Sequence, residues 1–268
     1  MCQTFSAIYT QNRELIFHPE STDSHEDLID YANLCDNGQN DFVRLEYTPK
    51  NGNYADLKLY KLHIDQKSCP EWFTEYEQNH VKQLLRSRVS QMLVTQDRKV
   101  LFNGCYILVG NVTINRCTNS RIINAGSANI KNAESAIIKY AESATIENAG
   151  SATIEYARSA TIEYARSATI KNAESATIEY AGSAIIEHAG SATIENAGSA
   201  TIKNAGSATI KNAGSATIEY ARSAIIEYAR SATIENAESA TIIYAGSATI
   251  ENAESATIEY AGSATITK

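Results

Sequence analysis

Residues 151–166 read SATIEYARSATIEYAR, one octapeptide written twice, and this stretch decides the fold. The same unit, with consensus Ser-Ala-Thr-Ile-(Glu/Lys)-(Asn/Tyr)-Ala-(Gly/Glu/Arg), begins near Asn111. Its isoleucine recurs at every eighth position from Ile114 to Ile266, in twenty units. Small apolar, polar, large apolar and charged residues alternate within each unit, which is the pattern of a strand with one buried face. The Asn-Ala-Gly that follows predicts a corner.

A long helix is excluded by the period itself. A repeat of eight places successive isoleucines about 80° further around a helix, so that they spiral around its surface without forming a stripe. Threonine and isoleucine also favour strands. The octads therefore predict a β-solenoid whose coils hydrogen-bond edge to edge, about 4.8 Å apart.

Two or three octads per coil, that is 16 or 24 residues, both fit the charge pattern. In 16-residue coils Lys139, Glu155 and Lys171 would alternate in sign, but 24-residue coils give opposite neighbours about as often. Each octad sends inward one isoleucine and two alanines, which suits two sheets pressed together better than a triangular tube. We therefore expect 16-residue coils, ten of them, in a flattened rod about 48 Å long.

The first hundred residues have a different composition, with all three prolines and the only tryptophan of the chain. They predict a small α+β domain over 1–100, followed by an all-β solenoid over 101–268. A hairpin is expected around Gln11-Asn12, and a helix start with Ser24 and Asp27 as a capping pair. Further strands are expected over 41–48 and 56–65, and a second helix from Pro70. That helix would have an apolar face made of Trp72, Phe73, Tyr76, His80, Val81, Leu84 and Leu85.

Charge and hydropathy exclude several classes of protein. The chain has 23 basic and 31 acidic residues, a net charge of -8 and a pI near 5.2, which opposes binding to nucleic acid or anionic lipid. No long apolar run and no secretory n-region are present, so neither a membrane span nor export is expected. From residue 104 onward 16 acidic residues face 12 basic ones, too balanced for a mimic of DNA.

Cysteine and histidine give no metal pattern. The five cysteines are odd in number and irregularly spaced, which predicts reduced thiols without a zinc motif. His25, Glu26 and Asp27 are adjacent, but neighbouring helical residues point in different directions. We expect no metal and no cofactor.

The sixth octad position alternates irregularly between asparagine and tyrosine. Either type stacked on itself would form a ladder that stabilises the corner, whereas an exposed row of tyrosines would also suit a protein partner. The candidate tyrosine ladder consists of Tyr140, Tyr156, Tyr164, Tyr180, Tyr220, Tyr228 and Tyr244.

The last octad stops without a change of pattern, and an open solenoid end exposes unpaired backbone groups and apolar core. This predicts a homodimer through the C-terminal coils. The candidate interface residues are Ile250, Ile258, Tyr260 and Ile266. The alternative is that Lys268 and the terminal carboxylate blunt the edge, and that the last coil frays.

Cys2 carries the enzymatic alternative. Removal of Met1 would leave a thiol beside a free α-amino group, a self-contained nucleophile and base, as in N-terminal-nucleophile enzymes and in proteins that crosslink through a terminal cysteine. A small buried thiol in the first strand is the simpler interpretation. His25, Asp27, Arg44 and Glu46 would have to converge on one cleft to assist such chemistry.

The N-terminal segment resembles uncharacterised proteins of bacteriophages and gut bacteria. The resemblance rests on a Met-Cys-x-x-Phe-Ser start, on four short motifs and on the octapeptides that follow them. The four motifs are Asp23-Ser24-His25-Glu26-Asp27, Phe42-Val43-Arg44-Leu45-Glu46 leading into Thr48-Pro49, and Pro70-Glu71-Trp72-Phe73. Those relatives carry Asn-Ser-Thr-Val where this chain has Gly-Ser-Ala-Thr-Ile. The resemblance implies a phage or prophage origin, and no activity.

The octads are also similar in period and corner to bacterial ice-nucleation repeats, which expose Thr-x-Thr ladders on flat 16-residue coils. The outward pairs here are of the kind Thr145-x-Glu147 and Thr209-x-Lys211. A charged row does not match an ice lattice, so ice binding is only a second alternative. The sequence favours a non-enzymatic structural or interaction protein, in bacterial host cytosol or virion, with an unknown protein partner of the N-terminal domain.

Overall fold

A computed structural model describes residues 5–35, 41–253 and 255–267. The chain divides into two compact units, residues 1–93 and 94–268. The first is an α+β unit and the second is a parallel β-solenoid with two sheets. The predicted fold class is confirmed.

The N-terminal unit contains one antiparallel sheet in the order β2-β1-β3-β4. Its elements are β1 (Ser6–Thr10), β2 (Leu15–Ile16), α1 (His25–Tyr31), β3 (Phe42–Thr48), a 3₁₀ turn (Lys50–Gly52), β4 (Lys61–Ile64) and α2 (Glu75–Ser90). The predicted hairpin forms between β1 and β2, with Ile8 opposite Ile16. Ser24 caps α1 by accepting a hydrogen bond from the Asp27 N–H, as its position predicts.

Two elements are shorter than the sequence predicts. The strand expected over 56–65 is limited to β4 because the Asp56 carboxylate accepts the Lys58 N–H and closes a turn. The helix expected from Pro70 begins at Glu75, since a turn precedes it in which the Phe73 N–H donates to the Pro70 carbonyl.

The buried face of α2 also differs from the predicted one. Buried residues recur every four positions, at Glu77, Val81, Leu85 and Val89, whereas Tyr76 is exposed. Buried residues spaced by four continue this stripe to position 77, where the residue is a glutamate. The apolar pattern of the sequence does not predict a buried Glu77, because charged side chains are seldom buried.

The solenoid strands fall on two parallel sheets. Sheet 1 contains Arg98–Phe102, Thr113–Thr118, Asn129–Asn132, Thr145–Asn148, Thr161–Tyr164, Thr177–Tyr180, Thr193–Asn196, Thr209–Asn212, Ile225–Tyr228, Thr241–Ile243 and Thr257–Glu259. Sheet 2 contains Leu93–Val94, Cys105–Leu108, Arg121–Asn124, Ile137–Tyr140, Thr153–Tyr156, Thr169–Asn172, Ile185–His188, Thr201–Asn204, Thr217–Tyr220, Thr233–Asn236, Thr249–Ile250 and Thr265–Ile266.

Each octad strand pairs with the strand sixteen residues away, so that Ile146 lies against Ile162 and Ile154 against Ile170. This register confirms two octads per coil. The sheets hold eleven and twelve strands, about one coil more than the ten predicted. The added strands precede the octads, beginning at Leu93–Val94, where no octad motif marks them.

The core between the two sheets repeats the same three side chains. In the octad of Ile154, the isoleucine and the alanines Ala152 and Ala157 are fully buried, and the pattern continues to Ile250. Position eight of each described octad unit from Gly126 onward lies in the left-handed region, whether it is Gly198 (φ 62°) or Arg158 (φ 54°). Glycine adopts this conformation without a Cβ penalty, and the arginines and glutamates do not.

Candidate functional site

An acidic cleft of about 390 Å³ opens beside α1 in the N-terminal unit. Two of the four residues expected to converge, His25 and Arg44, line it. The other lining residues are Ser24, Glu26, Ile29, Asp30 and Asp65. The cleft therefore combines three carboxylates with one guanidinium.

His25 is buried in this cleft, and both of its ring nitrogens have partners. Nε2 lies 2.9 Å from the Leu45 carbonyl oxygen, and Nδ1 lies 3.2 Å from Asp65 Oδ2. A general base needs a nitrogen that faces the substrate proton. The His25 side chain instead connects α1 to β3 and to the segment after β4.

The other two expected residues, Asp27 and Glu46, do not line the cleft. Asp27 Oδ2 accepts a hydrogen bond from the Thr22 hydroxyl at 2.6 Å, which holds it at the start of α1. Glu46 is buried in β3 opposite His63. The cleft therefore brings together His25 and Arg44 of the four expected residues.

A second cleft, of about 460 Å³, lies between β4 and α2. All four residues of β4 line it, and Gln78, Asn79 and Lys82 contribute from α2. Its two lysines and one histidine face no carboxylate in the lining. No sequence motif predicts this cleft, because it forms only when a sheet edge and a helix meet.

Glu77 is the buried charge of α2, and two donors from the first hairpin satisfy it. The Tyr9 hydroxyl donates to Oε2 at 2.9 Å, and Arg13 donates to Oε1. Burial alone would raise the pKa of Glu77, but these two hydrogen bonds and the Arg13 charge lower it. Burial and the Glu77 carboxylate raise the pKa of Tyr9 to about 12.

The thiols of the described ranges differ in exposure. Cys35 and Cys69 are exposed, whereas Cys117 is buried, and burial raises the pKa of the Cys117 thiol to about 12. Cys2 lies outside the described residues, so the hypothesis of a terminal nucleophile stays a prediction. Over residues 5–35, 41–253 and 255–267, no three histidine, cysteine or carboxylate side chains gather as metal ligands. None of the helices in these ranges is both long and apolar enough to cross a membrane.

The candidate tyrosine ladder is divided between two corners of the solenoid. Sheet 1 has Tyr164, Tyr180, Tyr228 and Tyr244, and sheet 2 has Tyr140, Tyr156 and Tyr220. Tyrosine and asparagine alternate irregularly along the chain, but within each sheet residues of the same type mostly stack on one another. Tyr164 stacks on Tyr180 with ring centroids 5.1 Å apart, and Tyr244 stacks between Tyr228 and Tyr260 at 5.1 and 4.8 Å.

Asparagines form the intervening runs on the same corners. The Asn212 amide donates to Asn196 Oδ1 at 3.4 Å, and Asn252 donates to Asn236 Oδ1 at 3.1 Å. Sheet 2 has two exceptions, since Tyr220 lies between Asn204 and Asn236, and His188 lies between Asn172 and Asn204. Stacking of like on like accounts for the tyrosines as corner side chains.

The two outer faces differ in charge. On sheet 2 the 16-residue register stacks Lys139, Glu155, Lys171, Glu187, Lys203 and Glu219 in alternating order. On sheet 1 the same position holds four successive glutamates, Glu147, Glu163, Glu179 and Glu195. Lys211 ends this run and pairs with Glu195 at 2.9 Å, which raises the pKa of Lys211.

Among the described residues, the last coil pairs with a neighbouring coil on one side only, which leaves an open edge. Thr265 and Thr267 donate their N–H groups to the Ala248 and Ile250 carbonyls of the coil below, both at 2.9 Å. In a parallel ladder the N–H of the intervening Ile266 then points to the open side. Ile266 is 38% exposed and Tyr260 is 68% exposed, whereas Ile250, which pairs with Ile266, is fully buried.

Corner geometry also changes near this edge. Tyr244, Asn252 and Tyr260 have positive φ angles of 57°, 51° and 54°, unlike the sixth position of the inner coils. The strands shorten with them, to two residues at Thr249–Ile250 and Thr265–Ile266.

Comparisons of the chain with known protein families, with curated proteins and with solved structures gave no match.

Proposed function

We propose that this chain is a non-enzymatic interaction protein. Its solenoid is a spacer, its N-terminal unit recognises a protein partner, and two copies join through their C-terminal coils. We further propose a phage or prophage origin, which rests on the resemblance of the N-terminal segment, and a location in bacterial host cytosol or virion.

The open edge of the last coil carries the proposal. The Ile266 N–H is unpaired among the described residues, the side chain of Ile258 is only partly buried against the core, and that of Ile266 is exposed. Two such edges related by a two-fold axis would pair with each other and cover both sets of isoleucines. A symmetric dimer is therefore the simplest way to complete this surface.

The non-enzymatic assignment rests on how the titratable groups of the N-terminal unit are used. His25 contacts an acceptor at each nitrogen, and Glu77 accepts from Tyr9 and Arg13. Each group holds secondary-structure elements together. An ice-ordering face is not favoured either, because the threonine column from Thr145 to Thr209 lies beside the glutamates of sheet 1.

Lengthening the solenoid tests the spacer. Duplicating residues 183–214 adds two coils, or about 10 Å, to each copy. An end-to-end dimer should increase its maximum dimension in small-angle X-ray scattering by about 19 Å, because both copies contribute. An increase of about 10 Å, as for a monomer or a side-by-side pair, would contradict the arrangement.

A further inference from the structure

The free edge of β4 is the most informative surface that the proposed function leaves unassigned. β4 is the last strand of its sheet, and it pairs with β3 on one side only. The Asp65 N–H donates to the Arg44 carbonyl at 2.9 Å, which fixes the alternation of this antiparallel pair. Lys61 and His63 therefore bond to β3, and Leu62 and Ile64 direct their N–H and C=O groups outward.

Helix α2 turns this edge into a groove. Gln78, Asn79 and Lys82 form the wall opposite β4 in the cleft of about 460 Å³. Leu62 and Ile64 are half-buried and pair with the buried Tyr47 and Leu45, so they provide an apolar floor on the helix side of the sheet.

The charge of the groove selects its ligand. Lys61, His63 and Lys82 form no ion pair with any residue of the described ranges, and no carboxylate lines the cleft. In a chain with a net charge of -8 this is a local positive surface. Lysines on an edge strand also protect the edge from pairing with another chain, but this protection does not require a groove beside the strand.

We propose that this groove binds an extended acidic peptide, which adds to β4 as a fifth strand. The outward groups of Leu62 and Ile64 would bond to the peptide backbone. Apolar side chains of the peptide would pack on the floor, and the carboxylates that alternate with them would lie on the face of Lys61 and His63, while Lys82 adds positive charge from the helix wall. This rests on the proposed function, since it names the partner-binding surface of the N-terminal unit.

The test uses the full chain and a labelled heptapeptide of alternating glutamate and valine, followed by fluorescence anisotropy. Matched probes replace glutamate with lysine, or carry N-methyl groups on the backbone nitrogens that strand addition needs. We expect saturable binding of the acidic peptide, about tenfold weaker binding by Lys61→Ala/Lys82→Ala, and wild-type binding by Lys61→Arg/Lys82→Arg. Lys50→Ala/Lys58→Ala removes two charges outside the groove and should bind as the wild type does.

The proposal is overturned if the acidic peptide does not bind, if the lysine or N-methyl peptide binds equally well, or if the double alanine variant keeps full affinity. Sedimentation of the same samples separates this result from the proposed function. If the chain is a dimer that does not bind the peptide, only the proposal of a peptide-binding groove is wrong. If it is a monomer that binds the peptide, only the proposal of a dimer is wrong.

Discussion

The carbonyl oxygen of Gly198 lies 2.6 Å from the point that a Cβ atom on Gly214 would occupy, one coil above it on the same corner. Both residues have φ angles in the left-handed region. The same position holds arginine or glutamate in other coils, at φ angles of 46° to 55°. Stacked corners thus tolerate a side chain, at a cost in backbone strain.

Substitutions at this corner should have opposite effects on stability. Gly214→Ala should lower the free energy of unfolding by about 1–2 kcal/mol, because it adds a left-handed penalty and a clash with a backbone oxygen. Arg222→Gly should raise it by about 1 kcal/mol or less, since Arg222 forms no ion pair within the described residues. Urea unfolding of the two variants would measure both changes.

Arg158→Gly is the matched control for that comparison. Arg158 pairs with Glu142 at 3.5 Å and lies over the Tyr140 ring at 5.2 Å, so its removal also loses favourable contacts. We expect a smaller gain than for Arg222→Gly. A neutral Gly214→Ala variant would show that the corner relaxes freely.

The charge columns predict two substitutions of opposite sign. Glu163→Lys places a lysine between Glu147 and Glu179, and should stabilise the solenoid by about 0.2–1 kcal/mol. Glu155→Lys places a lysine between Lys139 and Lys171, and should destabilise it by a similar amount. Both effects should shrink in high salt, because positions 155 and 163 are partly exposed. Equal effects would contradict the 16-residue column assignment.

The tyrosine stacks can be tested with two residues of equal exposure. Tyr180 and Tyr220 are 46% and 47% exposed, but only Tyr180 stacks on another tyrosine. Tyr180→Ser should therefore cost about 0.5–1.5 kcal/mol more than Tyr220→Ser in urea unfolding. If the two variants are equally stable, ring stacking adds nothing to the corners.

Acid should weaken the N-terminal unit through Glu77. The folded-state pKa of this carboxyl is lowered, so its stabilising contribution is present above the unfolded-state pKa and is lost as the pH falls through the folded-state pKa. Glu77→Gln should therefore unfold at a lower temperature than the wild type at pH 7, and the difference should narrow in acid. Calorimetry from pH 7 to pH 3 would check this, and a constant difference would refute it.

The solenoid could be predicted from the sequence because every octad has the residue pattern of a short strand followed by a corner. One isoleucine and two alanines per unit limit the core to two sheets, and the observed pairing of Ile154 with Ile170 agrees. The first strands before Asn111 were missed since they follow no repeat. The run of four successive glutamates on sheet 1, from Glu147 to Glu195, is visible only once the coil length is known.

The N-terminal unit was less predictable because its contacts are non-local. Glu77 looks like a solvent-facing helix residue until Tyr9 and Arg13 are brought to it. The β4–α2 groove likewise joins residues that no motif connects in the sequence.

Sedimentation equilibrium of the full chain and of Ile258→Lys/Ile266→Lys tests the central claim most directly. Lysines at the open edge should abolish pairing, whereas Thr249→Lys/Thr257→Lys adds the same charge to exposed outer positions and should not. We predict twice 29.2 kDa for the wild type and for the threonine control, and 29.2 kDa for a folded isoleucine variant. A wild-type chain at 29.2 kDa, or an isoleucine variant that remains a dimer, would contradict self-association through the last coil.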